Sequence, residues 1–272
     1  MAHSSRLPGG TSNHEIGRGL SSLAGVSGFA KDPPSAFSVL SGMLYRFDLH
    51  LHSFYSADAA ASPEELIAAA RARGLNGIAI TDHDSCEAHE YLLEKGLERA
   101  DGLPVDGFLV VPGMEVSTAH GHMLCIGTTL PVMRDAPAHA VFAAIRERGG
   151  IAIPAHPYDR WRAGIQETIL DELPLEAIEI FNAAVTSRGF NERARAYAKN
   201  RGLSMTASSD AHHASAVGIS ETAFEMENLS VADLLSALRS GGTPTGNYLS
   251  RRETLKKHFG NWFRIFNRSA PG

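Results

Sequence analysis

The sequence has few features of a disulfide-rich, membrane-spanning or nucleic-acid-coating protein. Its 272 residues include only two cysteines, Cys86 and Cys125, which is too few for a disulfide framework and typical of reduced thiols. No apolar run approaches the roughly 18 residues of a membrane-spanning helix, and no signal peptide is visible at the N-terminus. A net charge of −5 gives no general electrostatic reason to bind nucleic acid. These absences favour a soluble, cytoplasmic protein, whose 43% hydrophobic residues can bury a core.

Histidine, by contrast, is abundant, with 13 residues in the chain. In the stretch Phe47–Ser53, apolar and histidine positions alternate as they do in a β-strand. Residues i and i+2 of a strand point to the same face, so His50 and His52 aim two imidazoles at one place. A lone histidine on a strand is more often a packed or solvated residue. Two at this spacing indicate a metal site.

Predicted strands and helices alternate from residue 44 onward. The strands are predicted at 44–51, 76–81, 108–111, 122–126, 151–156, 175–181 and 203–208. Helices are predicted at 62–73, 138–148, 188–200 and 231–239, and a further helix is predicted to follow Asp84 and to end at about residue 96. Such alternation indicates an α/β fold of parallel strands covered by helices. About seven strands fit a closed barrel better than an open sheet, although the pattern alone allows both.

Polar residues fall at the carboxyl ends of these strands, where α/β folds place their sites. The candidate metal ligands are His50, His52, Asp58, His83, Glu115, His122, His156, Asp210 and His212. Six imidazoles and three carboxylates suit Zn²⁺, Mn²⁺ or Fe²⁺. Because nine ligands are too many for one tetrahedral ion, we expect two to three divalent ions. Such a centre suits the hydrolysis of a phosphate ester.

Five ordered motifs resemble those of the PHP (polymerase and histidinol phosphatase) superfamily, and the chain looks like a stand-alone, phosphoesterase-like member. They are Asp48–Ser53, Thr81–Asp84, Pro112–Val116, Ala155–Pro157 and Ser209–His212. The resemblance covers roughly residues 43–245. It implies a distorted (β/α)₇ barrel with a trinuclear metal centre at the carboxyl ends of the strands.

The resemblance also implies how the ligands divide among the ions. The first ion would take His50, His52, Glu115 and Asp210, the second would share Glu115 and add His122 and His156, and the third would take Asp58, His83 and His212. Many family members have histidine in place of Asp58, and aspartate there resembles the branch that acts on nucleotides. His120 is the alternative to His122 as a ligand.

Residues that act on the substrate are predicted in two groups. We expect direct catalytic roles for Glu115, Asp210 and His156. The candidate substrate-binding residues are Arg160, Arg162, Arg188 and Asn182. Arginine binds phosphate bidentately, but a solvated loop arginine is the common alternative, and an asparagine can equally cap a turn. Asp82 is expected to orient an imidazole, and His89 is expected at the surface.

The two ends of the chain are predicted to be separate from the 43–245 catalytic barrel. Residues 1–42 are rich in glycine and serine and are expected to form a disordered extension. Residues 246–272 form a basic tail with apolar residues at helical spacing. This tail is expected to pack on the barrel, and the alternative is contact with an anionic membrane or a polyanion.

The predicted function is a metal-dependent phosphoesterase. It would hydrolyse a phosphate mono- or diester, including a nucleotide or short oligonucleotide, by metal-activated hydroxide, without a stable nucleic-acid partner. One alternative is a metallohydrolase that acts on a carbamate, ester or amide. Another is a non-catalytic module stabilised by its metals.

Overall fold

A computed structural model describes residues 42–249, and the predictions made for residues 1–41 and 250–272 lie outside this range. The strands of this range are β1 Met43–Leu51, β2 Gly77–Ile80, β3 Leu109–Val111, β4 Gly113–Thr118, β5 Gly121–Ile126, β6 Ile151–Pro154, β7 Ala177–Asn182, β8 Ser204–Ser208, β9 Ser220–Met226 and β10 Thr243–Gly246. Its α-helices are α1 Pro63–Ala72, α2 Glu87–Glu94, α3 Ala138–Glu147, α4 Glu167–Glu172, α5 Arg188–Arg201 and α6 Val231–Ser240. Short 3₁₀ turns lie at Arg160–Arg162 and Ala214–Ala216.

The helix boundaries follow from local sequence signals. Helix α1 begins with a complete capping box, in which Ser62 accepts from the backbone N–H of Glu65 and the Glu65 side chain accepts from that of Ser62. Helix α5 ends at Gly202, whose φ of +65° is a left-handed conformation that glycine adopts at little cost. None of the helices within residues 42–249 has the length and apolar character needed to cross a membrane.

The strands form three hydrogen-bonded sheets, in the orders β10-β9-β1-β2-β3, β4-β5-β6 and β7-β8. Strands β1, β2 and β3 are parallel, as are β7 and β8. No closed sheet joins the strands of the described part of the chain, so the fold is mixed α/β and the (β/α)₇ barrel is not confirmed.

The expectation of parallel strands is wrong for the predicted strands β5 and β6, and the strands β4, β9 and β10, which were not predicted, also form antiparallel pairs. Strands β4 and β5 are joined by only two residues, Ala119 and His120. A parallel connection needs a crossover of a dozen or more residues, so this pair forms an antiparallel hairpin. Strand β6 pairs antiparallel with β5, and β9 pairs antiparallel with β1.

Backbone hydrogen bonds join the sheets at the carboxyl ends of their strands. A bridge between Leu51 and Ala211 connects the end of β1 to the segment after β8, and the Asp210 N–H donates to the His50 carbonyl at 2.8 Å. A second bridge pairs His83 with Glu115 and connects the end of β2 to β4. These contacts bring distant segments of the chain to one place.

Both faces of β1 are buried, with different partners. Phe47 and Leu49 are fully buried in an apolar cluster that includes Phe224 and Leu234. The alternate residues Asp48, His50 and His52 are also fully buried. Because buried polar groups need partners, this second face must meet other polar side chains.

Candidate metal centre

The structure brings all nine predicted ligands into one cluster. Four groups of donor atoms lie within 4.8 Å of one another: His52, His83 and His212; His50, His52 and Asp210; His50, Glu115 and His156; and His83, Glu115 and His122. Asp58 joins the cluster through its Oδ2 atom, which lies 2.9 Å from His212 Nε2. Shared members connect the groups, so the donors surround one common space.

Glu115 lies at the centre of this cluster and is fully buried. Five imidazole nitrogens lie 2.9–3.3 Å from its two carboxylate oxygens, and they belong to His50, His52, His83, His122 and His156. A single carboxylate among so many imidazoles has the arrangement of a ligand shared between ions.

Asp210 forms the opposite side of the cluster. Its Oδ1 atom lies 3.5 Å from His52 Nε2 and 3.4 Å from His212 Nδ1. The backbone of Asp210 has a φ of +52°, and that of His156 has a φ of +30°. Non-glycine residues adopt positive φ at an energetic cost. Backbone strain therefore occurs at the two strand ends that supply ligands.

The donor atoms fit divalent ions better than they fit one another. The Nε2 atom of His52 and the Nδ1 atom of His83 are buried and make no hydrogen bond within residues 42–249. Each nevertheless lies within 3.3 Å of a Glu115 oxygen. Buried polar atoms that converge without hydrogen-bond geometry are expected of ligands aimed at a common ion.

The electrostatics of the cluster are strongly coupled. Burial opposes ionisation of Glu115, but the surrounding imidazoles hold the pKa of this carboxyl well below its usual range. Burial alone would lower the pKa of His52, whereas Asp210 and Glu115 raise it to about 9. For the adjacent His83, burial lowers the pKa to about 4. Neutral imidazoles and ionised carboxylates are the forms that bind metal.

Glu179 supports the cluster and was missed from the sequence. Its Oε1 atom lies 3.2 Å from His50 Nδ1, and its Oε2 atom accepts from the His156 N–H at 2.6 Å and from Asn182 Nδ2 at 3.0 Å. With Nδ1 directed at Glu179, His50 presents Nε2 to the centre. The available signal was a charged residue in the otherwise apolar strand β7.

Asp82, which was expected to orient an imidazole, holds a loop instead. Its carboxylate accepts from the Ser53 N–H at 2.7 Å and from the Ser53 hydroxyl at 2.6 Å. Asp48 has a similar role on the other side of β1, where it accepts from the N–H groups of Ser209 and Gly218. Burial raises the pKa of Asp48 to about 6, although these hydrogen bonds act to lower it. Both aspartates fix the segments that carry ligands.

Of the four candidate substrate-binding residues, Arg162 lies against the cluster. Its Nη1 atom lies 2.5 Å from Asp210 Oδ2, and its side chain is 17% exposed. Asn182 is fully buried, and its amide nitrogen donates to both Glu179 and Asp210. Arg160 is exposed, and Arg188 stacks on the Tyr248 ring at 4.4 Å from its centroid.

His120 and His89 lie outside the cluster. His120, the alternative to His122, accepts from the Ala138 N–H at the start of α3, while His122 lies 2.9 Å from Glu115. The expectation that His89 lies at the surface is wrong, because it is only 4% exposed. The Glu98 carboxylate, whose Oε2 atom lies 2.7 Å from His89 Nδ1, offsets the free-energy cost of burying this imidazole.

The fold and the cluster define a class of mixed α/β proteins whose grouped histidines and carboxylates could bind metal ions. Family models match the chain in two places, the PHP domain over residues 48–159 and the PHP-associated region over residues 188–243. Together these matches cover more than half of the chain and include the predicted ligands. The chain belongs to the PHP superfamily, and this membership supports a metal-dependent hydrolase.

Relatives and solved structures agree with this assignment. The chain is 28% identical over 239 residues to a probable phosphatase of Serratia proteamaculans, with 74% of this chain and 97% of the relative covered. A two-domain protein of Bacteroides vulgatus that contains a predicted PHP-like metal-dependent phosphoesterase matches with a TM-score of 0.59 and 17% identity, over 81% of this chain and 70% of that one. The lesion-specific endonuclease Q of Pyrococcus furiosus matches with a TM-score of 0.58 and 17% identity, over 85% and 72%. These structural likenesses show the fold.

Proposed function

We propose that this protein is a metal-dependent phosphoesterase that hydrolyses a phosphate mono- or diester of a nucleotide or short oligonucleotide. The observation that carries the proposal is Arg162 beside the ligand cluster, with its guanidinium at Asp210. A partly exposed guanidinium next to a polynuclear centre suits a phosphate, whose oxygens it can bind bidentately. A carbonyl substrate has no comparable need for this cation.

The nine ligands would hold up to three divalent ions, of Zn²⁺, Mn²⁺ or Fe²⁺. When bound, such ions would lower the pKa of water and neutralise charge on the phosphoryl oxygens. In this proposal the direct roles belong to Glu115, Asp210 and His156, each of which presents donor atoms to the centre. The Serratia relative named as a phosphatase and the endonuclease Q neighbour support a phosphate ester as the substrate.

The protein's own residues then position ligands and substrate. Glu179 sets the orientation of His50, and Asn182 links Glu179 to Asp210. The Nη1 atom of Arg162 forms an ion pair with Asp210 and donates a hydrogen bond to Asn182 Oδ1. Guanidinium has five N–H donors in all, so others are available to a phosphate oxygen. The arginine thereby connects a ligand and the substrate.

The proposal is tested by measuring turnover of phosphate mono- and diesters, carboxyl esters and amides with Mn²⁺- or Zn²⁺-loaded protein. We expect hydrolysis of phosphate esters that is lost in His50→Ala and reduced about 100-fold or more in Arg162→Ala, the scale of one charge-stabilising donor. Arg146→Ala is the matched control, because this arginine is exposed on α3 and is not a candidate substrate-binding residue. Turnover of carboxyl esters alone, unaffected by Arg162→Ala, would contradict the proposal.

A further inference from the structure

The turn between His156 and α4 carries the most exposed large hydrophobic side chain within residues 42–249. This side chain is Trp161, which is 78% exposed. Tryptophan is usually well buried, because its indole is the largest apolar side chain and its exposure to water is unfavourable. An exposed tryptophan therefore calls for a partner that covers it.

The turn that carries Trp161 lies at the rim of the metal centre. It follows His156 by a few residues, and the carbonyl of Ala163 accepts a hydrogen bond from the His122 N–H at 2.8 Å. The next residue after Trp161 is Arg162, which contacts Asp210. Trp161 thus lies on a short segment that is attached to three of the candidate ligands.

Buried hydrogen bonds hold this turn in one conformation. Asp159 is fully buried, and its side chain accepts from the backbone N–H of Trp161 at 3.2 Å and from both the N–H and the hydroxyl of Thr186 at 2.8 Å. Gly164 is packed so closely that a Cβ atom there would lie 2.3 Å from the His156 carbonyl oxygen. A preformed turn loses little conformational entropy when a ligand covers it.

We propose that Trp161 is the platform on which the base of the substrate stacks, while Arg162 and the metal centre hold its phosphate. This inference rests on the proposed function and narrows its substrate class to nucleobase-bearing phosphate esters, as opposed to sugar phosphates. Every nucleobase presents an aromatic face, so stacking on an indole tolerates any base. The base and the phosphate are recognised by adjacent residues of one rigid turn.

The test compares two phosphate monoesters that differ only in the base, adenosine 5′-monophosphate and ribose 5-phosphate, on the metal-loaded full chain. If the protein cleaves only diesters, the pair is the methyl esters of the same two phosphates, which also differ only in the base. We expect Trp161→Ala to lower kcat/KM by about 5- to 150-fold for the ester with the base, the range of base–aromatic stacking. The ester without the base should change less than about twofold, and Trp161→Phe should retain most of the activity, since a phenyl ring also stacks. Leu103→Ala, which removes another exposed side chain, is the matched control.

A second measurement does not depend on turnover. The chain has two tryptophans, Trp161 and Trp262, so Trp262→Phe leaves Trp161 as the only indole fluorophore. Adenosine 5′-monophosphate should quench this fluorescence, and ribose 5-phosphate should leave it unchanged.

The outcomes separate this inference from the proposed function. An equal loss of activity on both esters in Trp161→Ala would mean that the tryptophan only supports the turn. If the nucleotide does not quench the fluorescence and Trp161→Ala does not selectively lose activity on the ester with the base, something else covers the tryptophan. Either result overturns the inference while leaving phosphoesterase activity established. Quenching by the nucleotide without turnover of any ester would support the base platform and overturn the proposed function.

Discussion

The two halves of the ligand cluster differ in how firmly the protein holds them. The inner half, defined as His50, His52, Glu115, His156 and Asp210, is at most 1% exposed and is supported by Glu179 and Asn182. The outer half is defined as Asp58, His83, His122 and His212. The side chain of Asp58 is 36% exposed, that of His83 25% and that of His122 20%. The inner half is therefore part of the core, whereas Asp58, His83 and His122 of the outer half are open to solvent and only His212 is buried there.

The largest effect is expected from Glu115→Gln, which removes the central charge of the inner half. Five imidazoles would lose their common carboxylate, and breaking a buried ionic contact costs about 3–5 kcal/mol. We expect this loss in the free energy of unfolding, together with loss of nearly all bound metal. Denaturant unfolding and elemental analysis of the purified variant check both. Wild-type metal content in this variant would contradict a shared central ligand.

A smaller effect is expected from Glu179→Gln, which weakens the support of the inner half but keeps its ligands. The neutral glutamine side chain lacks the negative charge with which the Glu179 carboxylate faces His50 Nδ1. Loss of such a charged partner typically lowers metal affinity 10–100-fold. Competition with a chelator of known affinity measures this change. Asp82→Asn is the matched control, because the Asp82 carboxylate is also buried but accepts its hydrogen bonds from the backbone N–H and hydroxyl of Ser53. Equal effects of the two variants would show that Glu179 has no special role.

The outer half is tested by Asp58→Ala. Because Asp58 is partly exposed and lies within 4 Å of the outer histidines His83 and His212, we expect loss of an ion held there, while ions of the inner half and the fold are retained. The free energy of unfolding of the metal-free protein should change by less than about 1 kcal/mol, as is usual for partly exposed ion pairs. Metal content per chain gives the answer, and loss of every ion would remove the distinction between the halves.

The smallest effect concerns the buried pair His89 and Glu98, beneath the strands that supply His83 and Glu115. Burial lowers the pKa of His89, but the hydrogen bond and charge of Glu98 outweigh burial and raise it above its ordinary value. A histidine with a raised pKa in the folded state stabilises the fold below the unfolded pKa of about 6.5. This stabilisation is lost as the pH rises through the folded value. The free energy of unfolding should therefore fall above pH 6.5 in the wild type and less so in His89→Gln. The same slope in both proteins would assign the pH dependence to other groups.

Most candidate ligand positions could be predicted from the sequence because they follow an apolar, strand-like run, whereas His122 begins its strand and Asp58 lies in a loop. The structure brings all nine candidates together. Their supports were less visible. Glu179 looked like one charged residue in a strand, and the partners of Asp48 lie 161 and 170 residues further along the chain. Such pairings depend on the tertiary fold, which local patterns do not encode.

Strand direction was the other feature that the pattern of alternation did not provide. Strand β9 has alternating burial but follows no helix, and it pairs antiparallel with β1. Strand β4 was not predicted, so the two-residue link that joins it to β5 was not recognised as the turn of a hairpin. Turn length was in this case the stronger physical constraint.

The sequence separation bridged by the hydrogen bond between Asp48 and Gly218 matters during synthesis of the protein on the ribosome. At 5–20 residues per second, a ribosome needs roughly 10–30 s to add the 170 residues that separate them. The histidines of β1 emerge early, and Asp210 and His212 emerge near the end of that interval. The complete set of ligands therefore exists only after most of the chain has been synthesised. The complete cluster is therefore available to a metal ion only late in synthesis, and a nascent chain that stalls before residue 210 lacks two of the nine candidate ligands.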